Sequence, residues 1–417
     1  MNTLDLARGI GGEIIDLRRR LHQIPELALD LPKTQATILE ALEGLDLEIT
    51  TGRRLSSVTA VLRGGKGPGP TVLLRGDMDA LPVTEKLDLP YVSAHPGVMH
   101  ACGHDLHVAG LVGAARILHA MRPELAGDVV FMFQPGEEVE GGAELMIEEG
   151  VLDASGRSVD AAYCLHVFSS VQPLGMWFAR PGTQMAAADT FTVRVLGEGG
   201  HGSAPFRTRD PIPVVCEMVL ALQTMTTRQF DVFDPVVVTV GRIAGGTKAN
   251  VIPDDAVFDA TVRTFSETAR DRVERAMVRL VEGIAIAHGM GIEVEYRREY
   301  PTTVNDEAEY AFAVDTIVDL FGADRFTPMP QPEPGSEDFS FVLREVPGAY
   351  LNLGACPTDP ATAPDNHSAR AEFDDSVLPD AAALLAELAV RRLSRSGAEN
   401  RLPGPENHHP PLPGSLS

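Results

Sequence analysis

Apolar positions along this chain fall into two rhythms. Between residues 71 and 185, short strand-like runs alternate with stretches of helical spacing. "TVLLRGDMDA" (71–80) begins as a buried strand. "HDLHVAGLVGAARILHAM" (104–121) repeats its apolar residues at Leu111, Ala115 and Leu118, which predicts a helix. "DVVFMFQPGEE" (128–138) predicts a strand stopped by a Pro-Gly turn. "GGAELMIEEG" (141–150) predicts a short helix and "DAAYCLHV" (160–167) another strand. This alternation predicts a mostly parallel sheet flanked by helices, an α/β architecture. Sites in such sheets form at the carboxyl ends of strands. Asp77 and Asp79, Glu137 and Glu138, and His166 all fall at those predicted ends.

From about residue 186 the order becomes β-α-β-β-α-β, ending with the strand "IEVEYRREY". That is the split, ferredoxin-like α+β unit. Helices and strands then resume, with a helix near 377–394. The expected organisation is a catalytic domain in two segments, 1–185 and 301–395, with a lid domain inserted at 186–300. The tail, 396–417, is rich in Pro, Gly and polar residues and reads as disordered. Its His408 and His409 are given no role. No repeat of 20–50 residues is present.

The 417 residues are too many for one ordinary core. A formal net charge of −24 speaks against nucleic acid or an anionic membrane as partner. No apolar run approaches the ~18 residues of a membrane span. The first 20 residues lack the apolar core of a secretory signal. Cys102, Cys164, Cys216 and Cys356 are widely separated, without CxxC, which suits reduced thiols in a cytoplasm.

The densest chemistry is "MHACGHDLH" (99–107). It reads as a metal site, as a cysteine nucleophile beside histidine, or as a polar turn. Cys102 and His104 in an extended turn point to one side. With Glu137, Glu138 and His166 they offer the thiolate, imidazole and carboxylate mixture that borderline divalent metals accept. Adjacent glutamates cannot point the same way, so one can hold a metal while the other serves as general base. His100 and His107 read as shaping the loop, Cys164 as packing, and Asp105 as orienting His104. A Cys102 hydrolase would leave Glu137, Glu138 and His166 without roles.

"LRRRLHQIPEL", "RGDMDALPV", "MHACGHDLH", "FQPGEE", "GGHGSAP", "NVIPD", "VRTF" and "GSEDFS" occur in that order. They resemble the aminoacylase and carboxypeptidase G superfamily of metallopeptidases. The likeness runs from about residue 13 to 390 and is nearest the branch of hippurate hydrolases, auxin-conjugate amidohydrolases and N-acetyl-amino-acid deacetylases. It implies two divalent metal ions per subunit, zinc or manganese first, with cobalt and nickel open. It implies Cys102, His104, Glu138, His166 and His367 as ligands, with Cys102 bridging. Asp77 stands where other branches place a ligand histidine. Asp79 would orient the centre, Glu137 act as base, and His201 polarise the scissile carbonyl from a neighbouring subunit of a lid-paired homodimer. Asn250 and Arg263 would grip the substrate carboxylate. Around His367 the family's proline after His-Ser is replaced by Ala369-Arg370. The implied reaction is hydrolysis of the amide of an N-acyl amino acid or small peptide-like conjugate. Alternatives are a dipeptidase or carboxypeptidase, and a binding protein that keeps the fold without catalysis.

Overall fold

The apolar run at 71–77 is a strand with every residue buried, and it sits inside the larger of two main sheets. The computed structural model describes residues 2–138 and 141–395. The expected disordered tail, with His408 and His409, lies outside the described residues. In chain order the first strands are β1 (Glu48–Thr51), β2 (Val58–Arg63), β3 (Thr71–Asp77), β4 (Asp128–Gln134), β5 (Ala161–Pro173), β6 (Trp177–Ala179) and β7 (Gly182–Met185). Then come β8 (Ala187–Leu196), β9 (Gly200–His201), β10 (Val236–Gly245), β11 (Val251–Ile252), β12 (Asp255–Thr264) and β13 (Gly291–Tyr300). The last are β14 (Thr303–Asn305), β15 (Phe326–Pro328) and β16 (Gly348–Cys356).

The large sheet has the order β1-β2-β4-β3-β5-β16-β6-β15. Its centre, β4-β3-β5-β16, is parallel. Antiparallel pairs flank that centre at β1-β2, β2-β4 and β16-β6. Helices cover both faces, because central strands buried on both sides have no polar face to show water. The helices His104–Met121 and Leu378–Ser394 pack on one face around Leu111, Leu118, Leu384 and Leu388. Each such side chain, fully buried, stabilises by about 1.5–3 kcal/mol. These two helices approach so closely that a Cβ added at Gly113 would meet Ala382 Cβ at 2.8 Å. The helices Gly142–Glu148 and Phe339–Glu345 cover the other face through Met146, Phe339 and Val342.

The β-α-β-β-α-β stretch forms its own antiparallel sheet, β10-β12-β8-β13. Along β12 half-buried and buried residues alternate, so one face packs on the helices Pro211–Gln229 and Glu267–Ala287. Both helices start on side-chain caps. Asp210 accepts from Ile212 N with Pro211 following, and Ser266 accepts from Ala269 N. His201 pairs with Val251 in the small ribbon β9–β11. Among the described residues no helix is long and apolar enough to cross a membrane.

Candidate metal centre

Cys102 and His104 do converge, but not through an extended turn. Gly103 has φ +81° and sits just before the helix His104–Met121, so the chain reverses between them. Only glycine suits this position: the φ is left-handed, and a Cβ would meet Val167 Cγ2 at 2.4 Å. Cys102 Sγ thereby reaches 3.4 Å from His166 Nε2. His166 is mid-strand rather than at a strand end. β5 stops pairing with β3 at Cys164, yet continues along β16. One edge of β5 is thus freed toward the cluster while the other still holds it.

His104 is oriented by Asp79, not by Asp105. Its Nδ1 lies 2.9 Å from the Asp79 carbonyl oxygen, leaving Nε2 toward the cluster. Asp105 turns away, accepting from His22 Nδ1 at 2.8 Å and forming an ion pair with Arg18 Nε at 2.8 Å. The reason is helical geometry: successive side chains diverge by about 100°. His107 does not shape a loop either. It is helical, its Nδ1 is 2.5 Å from Asp77 Oδ1, and its Nε2 accepts from Val167 N. His100 is buried with neither ring nitrogen hydrogen-bonded among the described residues. Cys164 packs in an apolar cluster with Met132 and Tyr350.

The Pro135-Gly136 turn after β4 presents two backbone N–H groups to one carboxylate. Asp79 accepts from Glu137 N at 3.2 Å and Glu138 N at 3.0 Å. The glutamate side chains then diverge. Glu138 Oε1 lies 3.2 Å from His367 Nε2 and 3.9 Å from His104 Nε2. Glu137 reaches deeper, beside Glu337 and Asp338. His367 keeps its place despite Ala369-Arg370. Its backbone has φ +69°, and its N–H donates to the Ala101 carbonyl. Non-glycine residues in that region carry strain, held here by fixed surroundings. Asn366 supplies them, donating to the Val167 carbonyl at 3.0 Å and accepting from Ser169 N at 2.9 Å.

Among the described residues five triads of ligand atoms have their members within 4.8 Å, and two of them contain Cys102: Cys102–His104–His166 and Cys102–Glu138–His367. These two share the Cys102 thiol. His104 Nε2 and Glu138 Oε1 are buried yet make no hydrogen bond among the described residues. Buried atoms of that kind call for an explanation, and a cation between these donors supplies one. Burial alone would raise Glu138, but its close pairing with His367 and the His104 charge hold it below the usual carboxylate range. The nearby Cys102 thiol and Glu138 carboxylate push His367 up to about 10. Burial, with Glu337, Glu138 and Asp338 close by, holds Glu137 well above its ordinary range.

Spacing did not reveal the network beneath Glu137. Buried Arg75 donates to Asp77 at 2.6 Å, Glu337 at 2.8 Å and Asp338 at 3.0 Å. Gln134 bonds both Arg75 and Asp338. The available signals were a charge inside an apolar strand, "TVLLRGD", and the acidic pair of "GSEDFS". Arg18 and His22, within "LRRRLHQIPEL", both meet Asp105. Tyr300, at the end of β13, donates to the Glu137 carbonyl at 2.7 Å and ties the smaller sheet to this loop.

A cavity of about 380 Å³ opens on the cluster. Cys102, Glu137, Glu138, His166, His367 and Arg263 are on its wall. Arg263 donates to Ser336 Oγ at 3.0 Å. His201 and Asn250 are not on that wall. Both are exposed on or beside the β9–β11 ribbon, and His201 Nδ1 accepts from Ser203 N. A cavity of about 360 Å³ beside β1 contains none of these side chains.

The pattern of peptidase family M20/M25/M40 matches residues 73–391. Thermostable carboxypeptidase 1 of Saccharolobus solfataricus is 39% identical over 388 residues, spanning 92% of this chain and 96% of that protein. N-acetyl-L-cysteine deacetylase of Bacillus subtilis is 35% identical over 397 residues, spanning 94% of this chain and 90% of that one. A solved structure from Bacillus subtilis, described as a dinuclear metal-binding peptidase from the M20 family, matches with TM-score 0.79 and 33% identity. It covers 93% of this chain and 99% of that chain.

Proposed function

The chain belongs to peptidase family M20/M25/M40, and on that premise we propose a dinuclear metal-dependent amidohydrolase acting on N-acyl amino acids. The observation that carries this reading is the single thiol, Cys102, common to two ligand triads on the wall of a substrate-sized cavity. Cys102, His104 and His166 would hold one divalent ion, and Cys102, Glu138 and His367 the other. Bound there, the ions supply Lewis acidity toward water and the amide carbonyl. The mixed donor set favours zinc or manganese, with cobalt and nickel open.

Glu137 belongs to neither of the two Cys102 triads, so it takes the proton of the attacking water and returns it to the leaving amine. Its raised pKa lets it hold that proton between the two steps. Asp79 fixes the base by bonding its backbone N–H. Arg263 pairs with the substrate carboxylate in a bidentate fork. We further propose that residues 186–300 form a lid through which two chains pair as a homodimer. His201 and Asn250 would then complete the partner's site, which fits their exposure in the single chain. The free thiol suits a cytoplasm.

The likeness to a carboxypeptidase favours a second substrate reading, short peptides. Both readings place a free carboxylate beside the scissile amide. A screen of the metal-reconstituted protein on hippurate, N-acetyl amino acids, indole-acyl conjugates and dipeptides, read by amine release, tests the proposal. Hydrolysis of N-acyl amino acids, lost in chelator and regained with metal, is expected. Tight ligand binding without any hydrolysis would mark a binding protein, and chelator-insensitive turnover a cysteine hydrolase.

A further inference from the structure

Glu333 is an acid in the substrate cavity with no role in the reaction above. It stands between Pro332 and Pro334, and proline on its C-terminal side favours extended backbone. Its N–H donates to the Gln184 carbonyl at 2.8 Å, and its carbonyl accepts from Ala186 N at 3.0 Å. The backbone is therefore pinned against the β7 segment. The side chain lines the same cavity as Cys102 and Arg263, among Phe168, Met185 and Tyr350.

Among the described residues its carboxylate has neither a hydrogen bond nor an ion pair. It belongs to none of the triads of ligand atoms among the described residues. Burial pushes its pKa up to about 7, the mark of an acid without a counter-charge. Arg263, on the same wall, bonds Ser336 instead. Glu333 and Arg263 thus share the cavity without pairing with each other. An acid held in partly apolar surroundings costs free energy until a ligand donor completes it. The rings of Phe168 and Tyr350 add faces that favour a cation.

We infer that Glu333 is a specificity-determining residue that takes a cationic nitrogen, an ammonium or guanidinium, of the same substrate whose carboxylate Arg263 takes. This rests on the amidohydrolase reading. The nitrogen has two possible sources. One is the side chain of a basic leaving amino acid. The other is the free α-amine of a dipeptide.

Two matched pairs separate the sources: Nα-acetyl-lysine against Nα-acetyl-norleucine, and alanyl-alanine against propionyl-alanine. Their binding is measured by calorimetry to the metal-loaded Glu137→Gln protein, with and without Glu333→Gln. The expected result is that the charged member of one pair binds at least ~10-fold tighter. Adding Glu333→Gln should erase that preference and leave the uncharged member within about 2-fold, since only a charge-assisted contact is removed. A preference in the first pair identifies the side-chain source, and in the second the α-amine. Equal binding within both pairs, a preference that survives Glu333→Gln, or no binding of any of these compounds overturns the inference. Turnover of the uncharged members by the wild-type enzyme tests the reaction separately. Turnover without charge preference sinks only the Glu333 assignment. Charge-selective binding without turnover sinks only the hydrolase reading.

Discussion

Cys102 Sγ lies 3.4 Å from His166 Nε2, across 64 residues of sequence. One partner comes from the loop before a helix and the other from the freed edge of a central strand. The same sulfur also stands among Glu138 and His367, so it joins both halves of the centre.

Glu137→Gln keeps the shape of the side chain but removes its basicity. Metal content should be unchanged, while turnover should fall at least ~10²-fold, the low end for losing a general base. Metal analysis alongside steady-state kinetics checks both. Near-normal turnover at full occupancy would place the base elsewhere.

Arg263→Ala should weaken substrates with a free α-carboxylate and spare their amidated counterparts, because the lost contact is a charge pair. The ratio of kcat/KM between the two substrate sets is the readout. An equal loss in both would make the arginine a structural group.

Asp105→Ala leaves Arg18 and His22 buried without their shared partner. Breaking a buried pair in this way costs about 3–5 kcal/mol. The urea denaturation midpoint should fall while metal content per folded chain stays the same. Loss of metal without loss of stability would return Asp105 to the centre.

His201 sits on an exposed ribbon outside its own chain's cavity wall. Glu137→Ala and His201→Ala homodimers should each be nearly inactive. After subunit exchange, half the dimers are mixed, and each of these has one complete site of two. If the lid histidine acts in trans as proposed, activity should therefore recover toward about a quarter of wild type. Verified exchange without recovery would remove His201 from the neighbouring site.

The alternation of strands and helices, and the β-α-β-β-α-β stretch, were legible because each element carries its own apolar period. Long-range pairing was not. His166 looks like a strand end because only local sequence is visible, whereas β16 carries the strand onward. Asp105 is adjacent to His104 in sequence, yet Asp79 holds the ring, since adjacency on a helix separates side chains. Arg75 meets Glu337 across 262 residues, a contact that no spacing announces. Glu333 stands between two prolines, and only the fold brings it to the cavity wall.

One thiol is proposed to serve two metal ions, and metal content per chain tests this most directly. The reconstituted wild type, dialysed and analysed by elemental mass spectrometry, should carry two divalent ions. Cys102→Ser should lose affinity for both, because a hydroxyl is a harder and far less acidic ligand than a thiol. Two ions retained by Cys102→Ser at unchanged affinity would contradict the account.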